Sequence, residues 1–149
     1  MRKVDFFRHG LGPEEKAAVL EVLEGLFITT GGACVRFEQE FAAYLGVPHA
    51  VTVSTGTAAL EVALMALDIG PGDEVITTPM TFIATANVCL ELAATPVLVD
   101  VEPGTGNLDA SLVEAAVTPR SKAILPVHLY GAMCDMRALR HIADRHGLK

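Results

Sequence analysis

Apolar and polar residues alternate along this chain in two periods, and the period switches repeatedly. Between Pro13 and Leu26 the apolar positions Ala17, Val19, Leu20, Leu23 and Leu26 are set among Glu and Lys, which predicts an amphipathic helix. Pro13 suits a helix start and Glu14-Glu15 suit its positive end. Phe27 to Gly32 reads as irregular. Val35 to Leu45 is predicted helical, with Val35, Phe37, Phe41, Ala42 and Leu45 on one face and Gly46 as the stop. From Ala50 onward short apolar runs alternate with helical patterns. Strands are expected at Ala50–Val53, Glu74–Thr78, Pro96–Val101 and Ala123–Leu129. Helices are expected at Thr57–Leu67, Phe82–Leu92, Asp109–Ala116 and Asp135–Arg145.

Strands recur about every 25 residues, leaving room for one helix in each crossover, and that spacing calls for parallel pairing. Buried parallel strands read as near-continuous apolar runs such as Val97-Leu98-Val99. The fold class is therefore α/β, an open and mostly parallel sheet with flanking helices. A ligand crevice is expected beyond the carboxyl ends of the strands. The segments placed there are Ser54-Thr55-Gly56-Thr57, Pro79-Met80-Thr81-Phe82, Asp100 to Thr105, and His128-Leu129-Tyr130-Gly131.

Composition narrows the function classes. The 149 residues suffice for one domain with a core, and two full domains are not expected. Hydrophobic residues make up 51% and charged residues 19%, which excludes a disordered chain. Eleven basic against eighteen acidic residues, a net charge of −7, argue against a nucleic-acid binder. No apolar run is long enough for a membrane helix, and the stretch from Met1 to Gly10 has no apolar signal core. The cysteines Cys34, Cys89 and Cys134 are odd in number and show no CxxC or CxxH spacing, so neither a disulfide framework nor structural zinc is expected. A reducing cytoplasm is the natural setting. Cys89 and Cys134 read as buried filler.

Three segments carry candidate chemistry. Ser54-Thr55-Gly56-Thr57-Ala58-Ala59-Leu60 joins a strand to a helix. It is either a phosphate cradle of free amides and hydroxyls or a plain strand-to-helix turn with Ser/Thr capping. It is neither a P-loop nor GxGxxG. Gly104-Thr105-Gly106 reads as a turn. Phe82 either stacks on a planar ring or belongs to the core, and Asn87, on the same predicted helix, reads as a buried hydrogen-bonding residue. His128, beside Tyr130, is a base, a supporting donor or a satisfied core histidine. His141 and His146 are not spaced as metal ligands on one helix face, and no metal site is expected.

Taken in order, these segments resemble the front part of the DegT/DnrJ/StrS family of pyridoxal-phosphate-dependent sugar aminotransferases. The resemblance is carried by Thr29-Thr30-Gly31 followed by Phe37-Glu38, by Ser54-Thr55-Gly56-Thr57-Ala58-Ala59-Leu60 and by Gly70-Pro71-Gly72-Asp73-Glu74-Val75-Ile76. Thr81-Phe82 with Ala84-Thr85-Ala86-Asn87, and Pro126-Val127-His128-Leu129-Tyr130-Gly131 before Asp135-Met136, complete it. It implies part of the large domain of the aspartate-aminotransferase (type I) fold, with residues 1–48 as an N-terminal helical arm and 49–149 as alternating β/α units. It also implies a cytoplasmic homodimer that transfers an amino group from glutamate or glutamine to a nucleotide-diphosphate keto sugar, in sugar or polysaccharide biosynthesis. By position, Gly56, Thr57 and Ala58 would hold the phosphate of pyridoxal 5′-phosphate and Phe82 would stack on its ring. Thr29 would border the substrate entrance, and Asn87, His128 and Tyr130 would form a supporting shell.

Two departures from the family pattern stand out. Gly32 occupies the place where the family usually has Pro, which is expected to loosen a loop near the substrate. The family's Schiff-base lysine, its pyridinium-pairing aspartate and a phosphate-binding serine have no counterpart here, since Asp100 and Lys149 stand elsewhere in the pattern. The 149 residues alone are therefore expected not to be catalytically competent. The alternative is a non-catalytic domain that binds a phosphorylated ligand or a partner chain.

Overall fold

A computed structural model describes residues 8–29 and 31–149. Thr30 of the first family motif and the first seven residues of the Met1–Gly10 segment lie outside that description. The chain divides into two compact units, Met1–Thr52 and Val53–Lys149.

The first unit is helical. Helix α1 (Pro13–Glu24) opens with Pro at its first position, and the Glu15 carboxylate accepts from the Gly12 N–H at 2.6 Å, closing the first turn. Helix α2 (Gly32–Leu45) starts three residues before the predicted Val35 and stops where expected. Gly46 takes the left-handed conformation (φ 68°), and the Val47 N–H returns to the Ala42 carbonyl at 3.0 Å. Phe37 and Phe41, one turn apart, stack with ring centroids 5.5 Å apart.

The second unit holds the sheet. In chain order it contains α3 (Gly56–Ala66), β1 (Glu74–Thr77), α4 (Ala84–Glu91), β2 (Thr95–Leu98), α5 (Ala110–Val113), β3 (Ser121–Ile124) and α6 (Met136–His146). Short 3₁₀ turns at Glu114–Ala116 and Leu129–Gly131 follow α5 and β3. The strands are parallel in the order β2-β1-β3, with Ile76 facing Val97 on one side and Ile124 on the other. The expected parallel sheet with flanking helices is present.

Strand alternation sorts the core into two layers. Val75 packs with Leu64 of α3 and with Val88 and Cys89 of α4. Its neighbour Ile76 points the other way, into a cluster with Val113 of α5 and Leu139 and Ile142 of α6. Both are fully buried. Helices therefore cover both faces of β1, which is what lets a parallel strand be apolar at successive positions. Edge strand β2 tolerates Pro96, whose missing N–H would break a ladder on a central strand. Lys149 runs alongside the other edge: its N–H donates to the Lys122 carbonyl at 3.0 Å, and its carbonyl accepts from the Ile124 N–H at 2.8 Å.

Several expected elements are corrected. Ala50–Val53 forms no strand: its backbone pairs with no ladder among the described residues, and Val51 is 78% exposed. An apolar run becomes a strand only when a neighbouring edge takes its amides and carbonyls, and none of β1–β3 does so. β2 is shorter than Pro96–Val101, because Val101 turns away to bridge Leu108 in antiparallel fashion. β3 ends at Ile124 rather than Leu129, although the Leu125 N–H still donates to the Ile76 carbonyl at 2.8 Å. Phe82 precedes α4 instead of opening it. Asn87 lies on the exposed side of α4, so its expected burial does not hold.

Candidate active site

Chain direction decides where a crevice opens. From β1 the chain crosses by α4 to β2 on one side. It then passes through α5 to β3 on the other side of β1. The segments leaving β1 and β3 therefore diverge, and α4 and α6 lie in opposite layers. Such a reversal of strand order opens a cleft at the carboxyl ends. A cavity of about 360 Å³ lies there, walled by Met80, Thr81 and Phe82 after β1 and by Val127, His128, Leu129 and Tyr130 after β3.

Phe82 is 77% exposed, so it is no core residue. The backbone below it is fixed, because the Thr85 N–H donates to the Phe82 carbonyl at 3.1 Å and the Thr81 and Thr85 hydroxyls are 2.8 Å apart. His128 is exposed rather than a core histidine. Its Nδ1 accepts the Cys134 N–H at 3.3 Å, which leaves the proton of the neutral ring on Nε2 as a donor. Tyr130 is 95% exposed and sits at φ 52°, ψ 25°, a left-handed conformation that costs a bulky residue on the order of 1–3 kcal/mol.

The Ser54–Leu60 segment opens α3 in the same unit. Thr55 caps the helix, its Oγ1 accepting the Ala58 N–H at 3.0 Å and its carbonyl the Ala59 N–H at 3.0 Å. Among the described residues nothing bonds the Gly56 and Thr57 amides, and a Cβ on Gly56 would meet only open space. Two free amides at a positive helix end with open approach suit an anion, a field term worth about 0.3–1 kcal/mol when exposed. Gly56, Thr57 and Ala58 do not line the Phe82–Tyr130 cavity. Thr29 belongs to the first unit, where it lines a separate cleft of about 420 Å³ that includes Glu21 and Arg36. In that unit Glu38 of the family motif accepts the Thr52 N–H at 2.8 Å and its hydroxyl at 2.7 Å. Both bonds hold the Glu38 carboxyl below its ordinary range.

Gly32 is also relocated. It is the first residue of α2 rather than part of a loop. Sequence reading missed Asn107, which is 2% exposed and bonded to the turn that carries Tyr130. Its only sequence signal is a polar residue between a Gly turn and an apolar Leu, which many loops share. Among the described residues no three His, Cys, Asp or Glu side chains are placed to hold a metal ion. No helix there is long and apolar enough to cross a membrane.

Comparison with known proteins settles the lineage. The DegT/DnrJ/EryC1/StrS aminotransferase family is matched over residues 10–149. The chain belongs to that family. It is 51% identical over 138 residues to the spore coat polysaccharide biosynthesis protein SpsC of Bacillus subtilis (strain 168), covering 93% of this chain and 36% of that protein. It is 51% identical over 139 residues to GDP-perosamine synthase of Caulobacter vibrioides, covering 93% and 38%. The crystal structure of NtdA from Bacillus subtilis with bound cofactor PMP superposes with a TM-score of 0.86 at 38% identity, covering 93% of this chain and 33% of that one. The chain thus spans a little over a third of the length of the curated relatives it matches.

Proposed function

We propose that this chain forms the N-terminal part of the large domain of a pyridoxal-phosphate-dependent sugar aminotransferase, with residues 1–48 as helical arm and 49–149 as β/α units. The observation that carries the reading is the cavity at the strand-order reversal, with Phe82 exposed on its wall, in a chain of this family. The residues fit the cofactor. Gly56 and Thr57 would receive its phosphate through their free amides and the Thr57 hydroxyl, and Ala58, whose amide is held by the Thr55 cap, would border it. Phe82 would lie against one face of its ring. His128 and Tyr130 would wall the opposite strand end, with the His128 Nε2–H as a donor, and Asn87 would support from α4. Thr29 would border the substrate entrance.

When bound, pyridoxal phosphate supplies an electron sink for proton loss at an amino-bearing carbon. The cavity wall has no lysine and no carboxylate, so these residues bind and orient while proton transfer needs groups from elsewhere. This chain alone accordingly acts as a binding domain without turnover. The complete reaction would move an amino group from glutamate or glutamine to a nucleotide-diphosphate keto sugar, in a cytoplasmic homodimer that makes sugars or polysaccharides. Three free cysteines support a reducing compartment. In α1, Val19, Leu20 and Leu23 are each more than half exposed, apolar surface that a partner would cover.

Titration of the ¹⁵N-labelled chain with pyridoxamine 5′-phosphate tests the site. This ligand lacks the aldehyde that would tag surface lysines, and amide shifts detect even millimolar binding. Saturable shifts at Gly56, Thr57 and Ala58 are expected. Phe82→Ala should weaken pyridoxamine phosphate and leave inorganic phosphate unchanged, because only the former has a ring to stack. No saturable shift at α3, or equal weakening of both ligands, would refute the assignment.

A further inference from the structure

We propose that Asn107 is a positioning residue of this site: its buried side chain clamps both ends of the Leu129–Gly131 turn and so sets the wall that His128 and Tyr130 present. The inference rests on the cofactor reading above and adds a residue to it.

The Asn107 Oδ1 accepts the Leu129 N–H at 2.9 Å, and its Nδ2 donates to the Ala132 carbonyl at 3.1 Å. One carboxamide thus spans the turn from its first residue to the residue after its last. Asn107 is itself held by its backbone. Its N–H donates to the Thr105 hydroxyl at 3.2 Å, and its carbonyl accepts the Glu102 N–H at 2.9 Å. The clamp is therefore part of a hydrogen-bonded loop between β2 and α5. Beside it, Gly106 sits at φ 71°, and a Cβ there would come within 2.7 Å of the Leu129 Cδ2. The loop and the turn are in direct contact at two successive residues.

Between the two clamped ends stands Tyr130, in its unfavourable left-handed conformation. A strained backbone persists only where its surroundings over-determine it. Asn107 provides that constraint from one side, and the Gly131 and Ala132 amides, bonded to the His128 and Leu129 carbonyls at 3.1 and 3.0 Å, provide it from within. A carboxamide is the side chain suited to this task, because it offers an acceptor and a donor in one plane. Aspartate keeps only the acceptor, and alanine keeps neither.

The test compares the chain with Asn107→Ala, Asn107→Asp and Phe82→Ala, all ¹⁵N-labelled. Amide exchange is measured at Leu129 and in β1, and pyridoxamine 5′-phosphate is titrated against the Thr57 and Ala58 amides. In Asn107→Ala, Leu129 should exchange about tenfold faster while β1 is unchanged, and the titration midpoint should rise several-fold. Asn107→Asp should keep the Leu129 protection and bind with intermediate affinity. If β1 loosens in step with Leu129, Asn107 serves the fold as a whole and the proposal is wrong. If Asn107→Ala leaves the midpoint unmoved while Phe82→Ala raises it, the cofactor reading stands and the positioning role falls. A midpoint insensitive to both variants, or no saturable binding by the unaltered chain, removes the cofactor reading and this inference with it.

Discussion

The pair Gly31-Gly32 offers two neighbouring substitutions with opposite expected signs. Gly32 is the first residue of α2, and at that position a helix does not use the backbone N–H. Proline there sacrifices no hydrogen bond, and its fixed φ matches a helix start. Gly31, the residue before it, is already extended (φ −88°, ψ −179°), as a residue preceding proline prefers. A Cβ on Gly32 would meet only the Arg36 Nη1, at 3.9 Å. Gly32→Pro should therefore stabilise α2 by about 0.4–1 kcal/mol, chiefly by restricting the unfolded chain. Gly31→Ala differs, because its Cβ would come 2.9 Å from the Phe27 carbonyl oxygen and force the backbone to move. A loss of about 1–3 kcal/mol is expected. Since the chain has two compact units, a single melting temperature is a poor readout, and amide exchange within α2 is the appropriate assay. Gly32→Pro should slow α2 exchange about two- to fivefold with β1 unchanged, and Gly31→Ala should accelerate it. Faster exchange in Gly32→Pro would show that the chain does not enter the helix at residue 32, and the relocation of Gly32 from loop to helix would be wrong.

Other expectations concern the second unit. Ile76→Ala, at the fully buried centre of β1, should cost about 2–5 kcal/mol, read as faster amide exchange across β1; a cost below 1 kcal/mol would mean the two-layer core is misassigned. The Thr118 hydroxyl first, and then Arg120, hold the Glu74 carboxyl below its ordinary value of 4.5, against the opposing effect of burial. A lowered folded-state pKa stabilises the fold above the unfolded value, and this contribution disappears as pH falls from about 4.5 through the folded value. Glu74→Gln should accordingly lower the amide protection of β1 at pH 7 and flatten its decline below pH 4.5; an unchanged acid limb would show that Glu74 is not a source of it.

Much of this protein was legible in the linear pattern, and the legible part has a common cause. Helix limits set by local chemistry came out close to the mark: Pro13 at the start of α1, Gly46 after α2, Asp135 capping α6 and Gly147 closing it. Each depends on the conformational freedom or hydrogen-bonding reach of one residue, which does not depend on distant chain. The helix start at Gly56 was likewise visible, and so was the order of β and α units that opens a cavity at the strand ends. Ala50–Val53 shows the limit of such reading, since its apolar run meets the local requirements of a strand and lacks the neighbour that would make it one. β3 stops at Ile124 for a related reason, because the chain leaves the ladder to build the turn at Leu129–Gly131. Phe82 and Asn87 could be put on a segment but not on a surface, because exposure is decided by what packs against the helix.

By itself, then, the sequence determined the parallel α/β class and the local helix boundaries, which rest on short-range periodicity and capping, while its ordered motifs carried the resemblance to the family. Only the tertiary structure decided that Val75 and Ile76 serve opposite layers, that β1 and β3 open a cavity between Phe82 and His128, and that Asn107 grips a turn more than twenty residues away. Those facts arise where strands from distant parts of the chain are brought side by side, and long-range pairing leaves no local period to read.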